Sequence, residues 1–266
     1  MDILSHTFSG LAIGVTAIHF VKKSFQVKTL IVFTCGLVAF FPDLDVISFW
    51  SGFDSTLGQW FDLNQSGVDI YHQKRWYSHH AFFHSFLMAF FFTIIAILVG
   101  VWKRKGKQWK LEIKVNRVIY IAIFSSYLIH LIEDMPTPNF VWGGVAFLFP
   151  SDNYWGGKGY IWWWNNYDLF LTIFSVFCLN LILAFLKNLI NFKSHKLATF
   201  ILILGVSFYL KQMYYRPYNF NYQGMAEHHK VWKENEQQSK EIQKEILGKR
   251  LYNFMKKIDE SIPIWF

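Results

Sequence analysis

Six long runs of apolar residues, separated by polar and charged stretches, dominate this sequence. They extend over residues 8–21, 30–41, 86–102, 118–132, 169–186 and 198–210. A membrane-spanning helix needs about 20 apolar residues, so the shorter runs must end within protein or at the membrane surface. The pattern predicts an all-α, polytopic integral membrane protein with about six transmembrane helices.

Two aromatic or apolar segments do not fit this series of spans. Residues 141–149 are apolar but too short to cross, and Gly143 and Gly144 interrupt them, which predicts a re-entrant or interfacial segment. Trp162, Trp163 and Trp164 precede the fifth run. Tryptophan favours the headgroup level, so we expect these three side chains to form an aromatic belt.

The pattern changes after residue 210, and we divide the chain into a transmembrane domain, 1–210, and a tail, 211–266. The tail contains a charged stretch, residues 227–260, in which apolar residues recur at helical spacing, with Gly248 as a weak point. These residues are Ile242, Ile246, Leu247, Leu251, Phe254 and Ile258. The amphipathic helix that they predict could lie on the membrane, cover a site, or pack on the spans as a solvated tail.

Composition agrees with a membrane protein, because 53% of the residues are hydrophobic and 20% are aromatic. Cys35 and Cys178 lie in apolar runs and form neither a disulfide framework nor a Cys-x-x-Cys motif. The first residues lack the basic region of a signal peptide, so we expect no cleavage. The net charge of +8 is compatible with nucleic acid or anionic lipid. With spans this apolar, we expect the lipid bilayer as partner and no nucleic acid.

The basic residues are concentrated in the connections after the first, third and fifth runs. These are Lys22, Lys23, Lys28, Lys103, Arg104, Lys105, Lys107, Lys110, Lys114, Arg117, Lys187, Lys193 and Lys196. The opposite connections contain Lys74, Arg75 and Lys158 against nine acidic residues. The positive-inside rule therefore predicts a multi-pass protein of the cell inner membrane whose acidic side faces outward.

Histidine and aspartate residues cluster at the ends of runs that meet on this acidic side. His6 begins the first run, Asp43 and Asp45 end the second, His79, His80 and His84 open the third, and His130 and Asp134 end the fourth. Starts of odd spans and ends of even spans lie on one side of the membrane. Four distant stretches thus converge, which predicts a metal site on the extracytoplasmic side.

Each group leaves alternatives open. His130 and Asp134 are four residues apart, which is metal-ligand spacing but also common on ordinary helices. Asp43 and Asp45 cannot share one face of a regular helix, so one would be a ligand and the other a bridge or an orienting group. In the third group helix geometry favours His80 with His84, whereas His79 would have to precede the helix. Imidazole with carboxylate suits zinc first, then manganese or iron.

The order of these motifs resembles a known family. Ser-His-Thr-Phe-Ser-Gly (5–10), Phe-Pro-Asp-Leu-Asp (41–45), His-His-Ala-Phe-Phe-His-Ser (79–85) and His-Leu-Ile-Glu-Asp-Met-Pro-Thr-Pro (130–138) are similar to motifs of the membrane-bound metal-dependent hydrolases. That family is described as LexA-binding and inner membrane-associated, and it is distantly related to zinc-dependent phospholipase C and single-strand-specific nucleases. Its third motif has Arg, Gly and Thr where this chain has His80, Ala81 and Phe83.

The resemblance implies a set of ligands and a reaction. The implied metal ligands are His6, Asp43, Asp45, His79, His84, His130 and Asp134, with Trp164 and Asp168 near the site. His80 replaces an Arg that would suit a phosphate, and becomes an additional ligand or a group facing the substrate; Lys74 or Arg75 would then supply the missing charge.

We therefore expect a hydrolase that cleaves an ester or phosphoester of a lipid or lipid-linked substrate. Two or three divalent ions, most readily zinc, would activate a water, and Asp168 or Glu133 would move the proton. The alternatives are a metal-ion transporter and a non-enzymatic membrane protein that binds a partner. A transporter usually holds its ligands near the bilayer midplane rather than at span ends. The LexA-binding description requires a cytoplasmic face.

Overall fold

The computed structural model describes residues 1–103, 109–139, 143–187, 193–216, 219–220 and 228–262. Eight α-helices lie in this part of the chain. They are α1 (Ile3–Ala17), α2 (Phe25–Phe40), α3 (Gly67–His72), α4 (Phe86–Lys103), α5 (Trp109–Asp134), α6 (Tyr167–Leu186), α7 (Ser194–Tyr214) and α8 (His228–Ser261). Arg104, Lys105 and Lys107 of the basic connection, and Val141 of the short apolar segment, lie outside the described residues.

Six of these helices correspond to the six apolar runs, which confirms an all-α membrane protein. Among the described residues five helices are long and apolar enough to cross a membrane: α2 with its continuation to Phe49, α4, α5, α6 and α7. The remaining helix, α1, has 15 residues and is about 22 Å long, short of the roughly 30 Å hydrocarbon core. The first run was thus expected to reach Val21, but its helix ends at Ala17.

The short helix α1 lies among α2, α5, α6 and α7 and packs very closely on α2. A Cβ added at Gly10 would lie 2.3 Å from the carbonyl oxygen of Cys35, and one added at Gly14 would lie 2.8 Å from Cα of Val32. Glycines four residues apart let two backbones approach in this way. The close contact fixes the start of α1 against the bundle, which matters because His6 is in its first turns.

A proline lies just after the end of α2 and another just after the end of α5, and neither helix continues beyond it. Pro42 is the second residue of a 3₁₀ segment, Phe41–Phe49, that directly follows α2, and α5 ends at Asp134, two residues before Pro136. The predicted end of the fourth span is therefore confirmed. Both helices place their acidic residues at the same end of the bundle, beside the start of α1.

The outer helices expose their apolar side chains. In α4, Leu87, Phe90 and Leu98 are exposed, and in α7 Phe200 and Ile203 are exposed. Continuous apolar surfaces of this kind are not tolerated in water and suit contact with lipid. They support assignment of α4 and α7 as spans at the edge of the bundle.

The connection between α5 and α6 contains both the segment predicted to be re-entrant or interfacial and the three consecutive tryptophans. Its described part, from Gly143, forms turns tied by an isolated antiparallel bridge between Val145 and Trp155. Trp162 is fully buried and packs against Phe220 and Ile242. The expected aromatic belt is therefore wrong for Trp162, because a protein layer covers this indole.

That layer is α8, which confirms the predicted tail helix and packs on α6. Gly248 has φ of 73° within it and kinks the helix, as its sequence position suggested. Ile242 is fully buried, whereas Leu251 and Phe254 are exposed. The predicted apolar stripe is thus only partly buried, because the kink rotates the second half of the helix relative to the first.

Candidate metal centre

Four separate elements bring polar side chains to one end of the bundle. The start of α1 contributes His6, the 3₁₀ segment after α2 contributes Asp43 and Asp45, and the end of α5 contributes His130 and Asp134. A turn before α4 contributes His79, His80 and His84. All eight residues are buried. The convergence that the run ends predicted is therefore present in the fold.

The centre of the cluster is formed by Asp43, His84, His130 and Asp134, each of which offers a ligand atom within 4.8 Å of the others. Nε2 of His130 lies 3.0 Å from Oδ2 of Asp134 and 3.6 Å from Oδ1 of Asp43. Nε2 of His84 lies 3.5 Å and 3.7 Å from the same two oxygens. The two Nε2 atoms are 3.2 Å apart.

These separations fit the ligands of a single divalent ion. Tetrahedral zinc ligands about 2.0–2.1 Å from the ion stand roughly 3.3 Å from one another. Two carboxylates match the charge of a divalent cation, and the imidazoles add neutral donors. Oδ2 of Asp43 is buried without a hydrogen-bond partner among the described residues. Burying two carboxylates this close together is costly unless a cation lies between them.

Hydrogen bonding fixes the direction in which His130 presents its ring. Nδ1 of His130 donates to the carbonyl oxygen of Ala39 at 2.7 Å. Because a carbonyl only accepts, the neutral ring carries its lone pair on Nε2, which faces Asp43, Asp134 and His84. A backbone carbonyl bonded to the second ring nitrogen is the usual support of a metal-binding histidine.

A second group, His79, His80 and His84, also has ligand atoms within 4.8 Å of one another. Asp45 connects its members: Oδ1 lies 2.7 Å from Nδ1 of His79 and Oδ2 lies 3.3 Å from Nδ1 of His84. The ring of Tyr71 stacks on His79 with centroids 4.6 Å apart. His84 belongs to both groups, so Asp45 and His84 couple them.

The helix geometry expected for His80 with His84 is wrong. The α-helix begins only at Phe86, and His84 ends a 3₁₀ turn, Phe82–His84. His80 has φ of 62°, in the left-handed region, and its Nδ1 donates to the carbonyl of Gly144 at 3.0 Å. All three histidines therefore approach the cluster from irregular backbone, and His79 and His80 both remain candidates.

Electrostatics distinguish His80 from His84. Burial, reinforced by His79 and His84, holds the pKa of His80 well below its ordinary value, so His80 is neutral and its lone pair is on Nε2. Burial also lowers the pKa of His84, but Asp45 and Asp43 outweigh it and raise that pKa to about 9. His84 therefore sits where the field favours a positive charge, as a cation site requires.

His6 and Glu133 form the wall of the cluster on the α1 side. Nδ1 of His6 lies 2.8 Å from Glu133 Oε2, and its Nε2 lies 3.1 Å from Asp134 Oδ1. Glu133 also accepts from the Ser9 hydroxyl, and the His6 ring stacks on His130. Asp134 in addition pairs with the Met1 ammonium. Glu133 thus holds His6 by a carboxylate contact of the kind that orients metal-binding imidazoles.

Asp168 lies at the start of α6 and is paired with Arg216. Nη2 of Arg216 donates to both carboxylate oxygens, at 2.8 and 3.1 Å, and the Asp168 backbone N–H donates to Gln243. Sequence reasoning missed Arg216 and Gln243; an arginine six residues after the last apolar run was the available signal.

Helices with exposed apolar faces and a buried His/Asp cluster at one end define a multi-pass membrane protein with a site able to hold a metal ion. The profile of one family, described as YdjM inner membrane protein, matches residues 1–217. The chain belongs to this family and is a protein of the inner membrane. The match includes every residue of the cluster and ends before α8. Searches of curated proteins and of solved structures found no match.

Proposed function

We propose that this protein is a membrane-embedded, metal-dependent hydrolase that cleaves an ester or phosphoester of a lipid or lipid-linked substrate. The observation that carries the proposal is the set of separations among Asp43, His84, His130 and Asp134, from 3.0 to 3.7 Å. These four residues would hold the ion. A bound zinc, manganese or iron ion would supply Lewis-acid chemistry that activates a water and neutralises developing charge.

The residues around these four have separate roles in the proposal. Asp45 orients His84 and His79 through its two oxygens. Glu133 orients His6, and His6 and His79 are further ligands or hydrogen-bond donors to the substrate. Asp168 and Glu133 remain our candidates for proton transfer. Arg216 pairs with Asp168 and holds its carboxylate in place.

Hydrolysis requires an open coordination position for a water molecule. Four protein ligands would occupy every position of a tetrahedral ion. A five- or six-coordinate ion meets this requirement, and the paired carboxylates of the site are compatible with manganese or iron as well as zinc. The number of ions follows from the same argument. The first would bind the four central residues, and a second would bind beside it with His79 as a ligand and His80 facing the substrate, because His84 normally gives one ligand atom.

The position of the site favours a lipid substrate. The cluster is at the ends of membrane-crossing helices, where headgroups and ester bonds of lipids are found, and exposed apolar side chains surround the bundle. The basic connections at the opposite ends of the helices support an extracytoplasmic site.

A lipid hydrolysis screen tests the proposal. Protein purified in a maltoside detergent and loaded with zinc, manganese or ferrous iron is incubated with phospholipids and triglyceride, and the products are identified by mass spectrometry. We expect one lipid class to be cleaved by the loaded protein. The His84→Ala and His130→Ala variants should lose this cleavage, while His195→Ala, at the opposite end of the bundle, should keep it.

Two results would contradict the proposal. Lipid cleavage that persists in both His84→Ala and His130→Ala would remove the cluster from the reaction. A loaded protein that cleaves none of the lipids but carries metal into proteoliposomes would instead establish the metal-ion transporter.

A further inference from the structure

A second buried polar group lies where the start of α6, the end of α7 and the tail helix α8 meet. Arg216 follows α7 and has a fully buried side chain that is paired with Asp168 through Nη2. Gln243 of α8 is also fully buried, and its Oε1 accepts from the Asp168 backbone N–H at 3.1 Å. Arg216 and Gln243 therefore both contact Asp168, one at its carboxylate and the other at its backbone N–H.

Most of the donors in this group have no acceptor within the described chain. Nε and Nη1 of Arg216, which carry three of its five N–H bonds, are buried without a hydrogen-bond partner. The same holds for Nε2 of Gln243 and for Oγ of Ser239. Ser239 precedes Gln243 by one helical turn, so both side chains lie on one face of α8. Asn235, one turn earlier still, adds an unpartnered Nδ2.

A fold does not leave so many donors unsatisfied without reason, because each buried polar group without a partner is destabilising, and a charged one more so. Replacing any of these residues by an apolar one would remove the cost. We propose that Arg216, Gln243 and Ser239 form a binding site for a singly charged phosphate group.

The chemistry of the donors selects this ligand class. A phosphate offers several acceptor oxygens, and the remaining edges of a guanidinium match them in geometry. Asp168 already neutralises the single positive charge of Arg216. The positive end of the α6 dipole adds about half a charge, and this small positive balance suits a monoanion better than a dianion. Asn166, just before α6, has an unpartnered Oδ1 that can accept from a hydroxyl of the ligand.

None of the donors of this site belongs to the metal cluster, but the site adjoins the proposed hydrolase centre, because Arg216 pairs with Asp168, a candidate for proton transfer. It depends on α8, which lies outside the residues shared with the family. A singly charged phosphate group could come from two sources: free inorganic phosphate or the phosphodiester of a phospholipid headgroup. Either would join α8 to the transmembrane helices.

Calorimetric titration of full-length, chelator-treated protein in maltoside micelles near pH 6 tests the proposal independently of metal and turnover. The probes are inorganic phosphate and the short-chain lipid dihexanoyl phosphatidylglycerol, with dihexanoylglycerol as the phosphate-free control. We expect saturable binding of at least one phosphate probe and none of dihexanoylglycerol. Binding of inorganic phosphate alone identifies the free ion as ligand, and binding of the lipid alone identifies the headgroup.

Two variants and one control connect binding to the proposed residues. Gln243→Glu keeps an acceptor for the Asp168 N–H but replaces the orphan donor by a carboxylate. Ser239→Ala deletes an orphan hydroxyl without removing a described hydrogen bond. Each should weaken binding about tenfold or more, since a hydrogen bond to a charged group is worth about 1.5–3 kcal/mol. Gln238→Glu, exposed on the same helix, should bind as the unaltered protein does.

Ser239→Ala also gives a result that is independent of a folding defect. Its ligand-free melting temperature should equal or exceed that of the unaltered protein, because an unsatisfied group is lost. Absence of binding by either phosphate probe, or equal affinity in Gln243→Glu, Ser239→Ala and the unaltered protein, would overturn the proposal.

Discussion

Asp43→Asn is the change that best separates a metal site from an ordinary cluster of buried polar residues. Asp43 contacts His84 and His130 at 3.6–3.7 Å, beyond hydrogen-bond distance, and its Oδ2 has no partner among the described residues. The substitution is nearly isosteric and removes one negative charge. In the absence of metal it therefore removes little that stabilises the fold.

The expected loss of metal affinity follows from the number of ligands. Zinc sites with four protein ligands have apparent binding free energies of about 10–16 kcal/mol, which is roughly 3 kcal/mol for each ligand if they share it equally. At about 1.4 kcal/mol per tenfold change, Asp43→Asn should weaken zinc binding on the order of 100-fold. Without metal, its melting temperature should change little, because the lost repulsion with Asp134 offsets the lost attraction to the His84 ring, whose pKa Asp43 helps to raise.

Competition titration with a zinc-chelating dye measures the affinity, and thermal unfolding of the chelator-treated protein measures the stability. Asp62→Asn is the matched control, since Asp62 is exposed in a loop and its positive φ also suits asparagine. Zinc affinity equal in Asp43→Asn, Asp62→Asn and the unaltered protein would refute the four-residue centre. A strongly lowered melting temperature without metal would show that Asp43 has a structural partner.

Three further predictions test the surroundings of the site. His79→Ala and His84→Ala should lose bound metal, whereas His80→Ala should keep it and lose mainly substrate affinity; the reverse order would make His80 the ligand. Glu133→Gln should lower zinc affinity about 10–100-fold through His6, as loss of an orienting carboxylate does, and an unchanged affinity in the dye titration would contradict this. In intact cells, with Cys35 and Cys178 replaced, an impermeant thiol reagent should label Asn64→Cys and not Lys103→Cys; reversed labelling would place the site in the cytoplasm and favour LexA binding.

Which ends of the spans lie on the same side of the membrane could be predicted, because this depends only on the order of the apolar runs. Alternate run ends must meet on one side of a membrane, which predicts that His6, Asp43, His84 and His130 lie close together. The arrangement of the histidines within the cluster could not be predicted in the same way. Helical spacing was applied to His80 and His84, where the backbone is a turn followed by a 3₁₀ segment.

Sequence also gave no indication of which partner each acidic residue would take. Asp168 pairs with Arg216, 48 residues later, and Glu133 contacts His6, 127 residues earlier. Trp162 was expected at the membrane surface because three consecutive tryptophans resemble a belt, but α8 covers it. Long-range contacts of this kind depend on how the helices pack against one another, and local pattern carries no information on that packing.

Metal content measured by inductively coupled plasma mass spectrometry tests the central claim most directly. Protein is expressed with zinc, manganese and iron supplied, then purified in detergent without chelator. We predict about one or more divalent ions for each chain and their loss in a His84→Ala, His130→Ala double variant, since both rings face the two central carboxylates. Equal metal content in this double variant and the unaltered protein, or a well-folded unaltered protein without bound metal, would contradict the account.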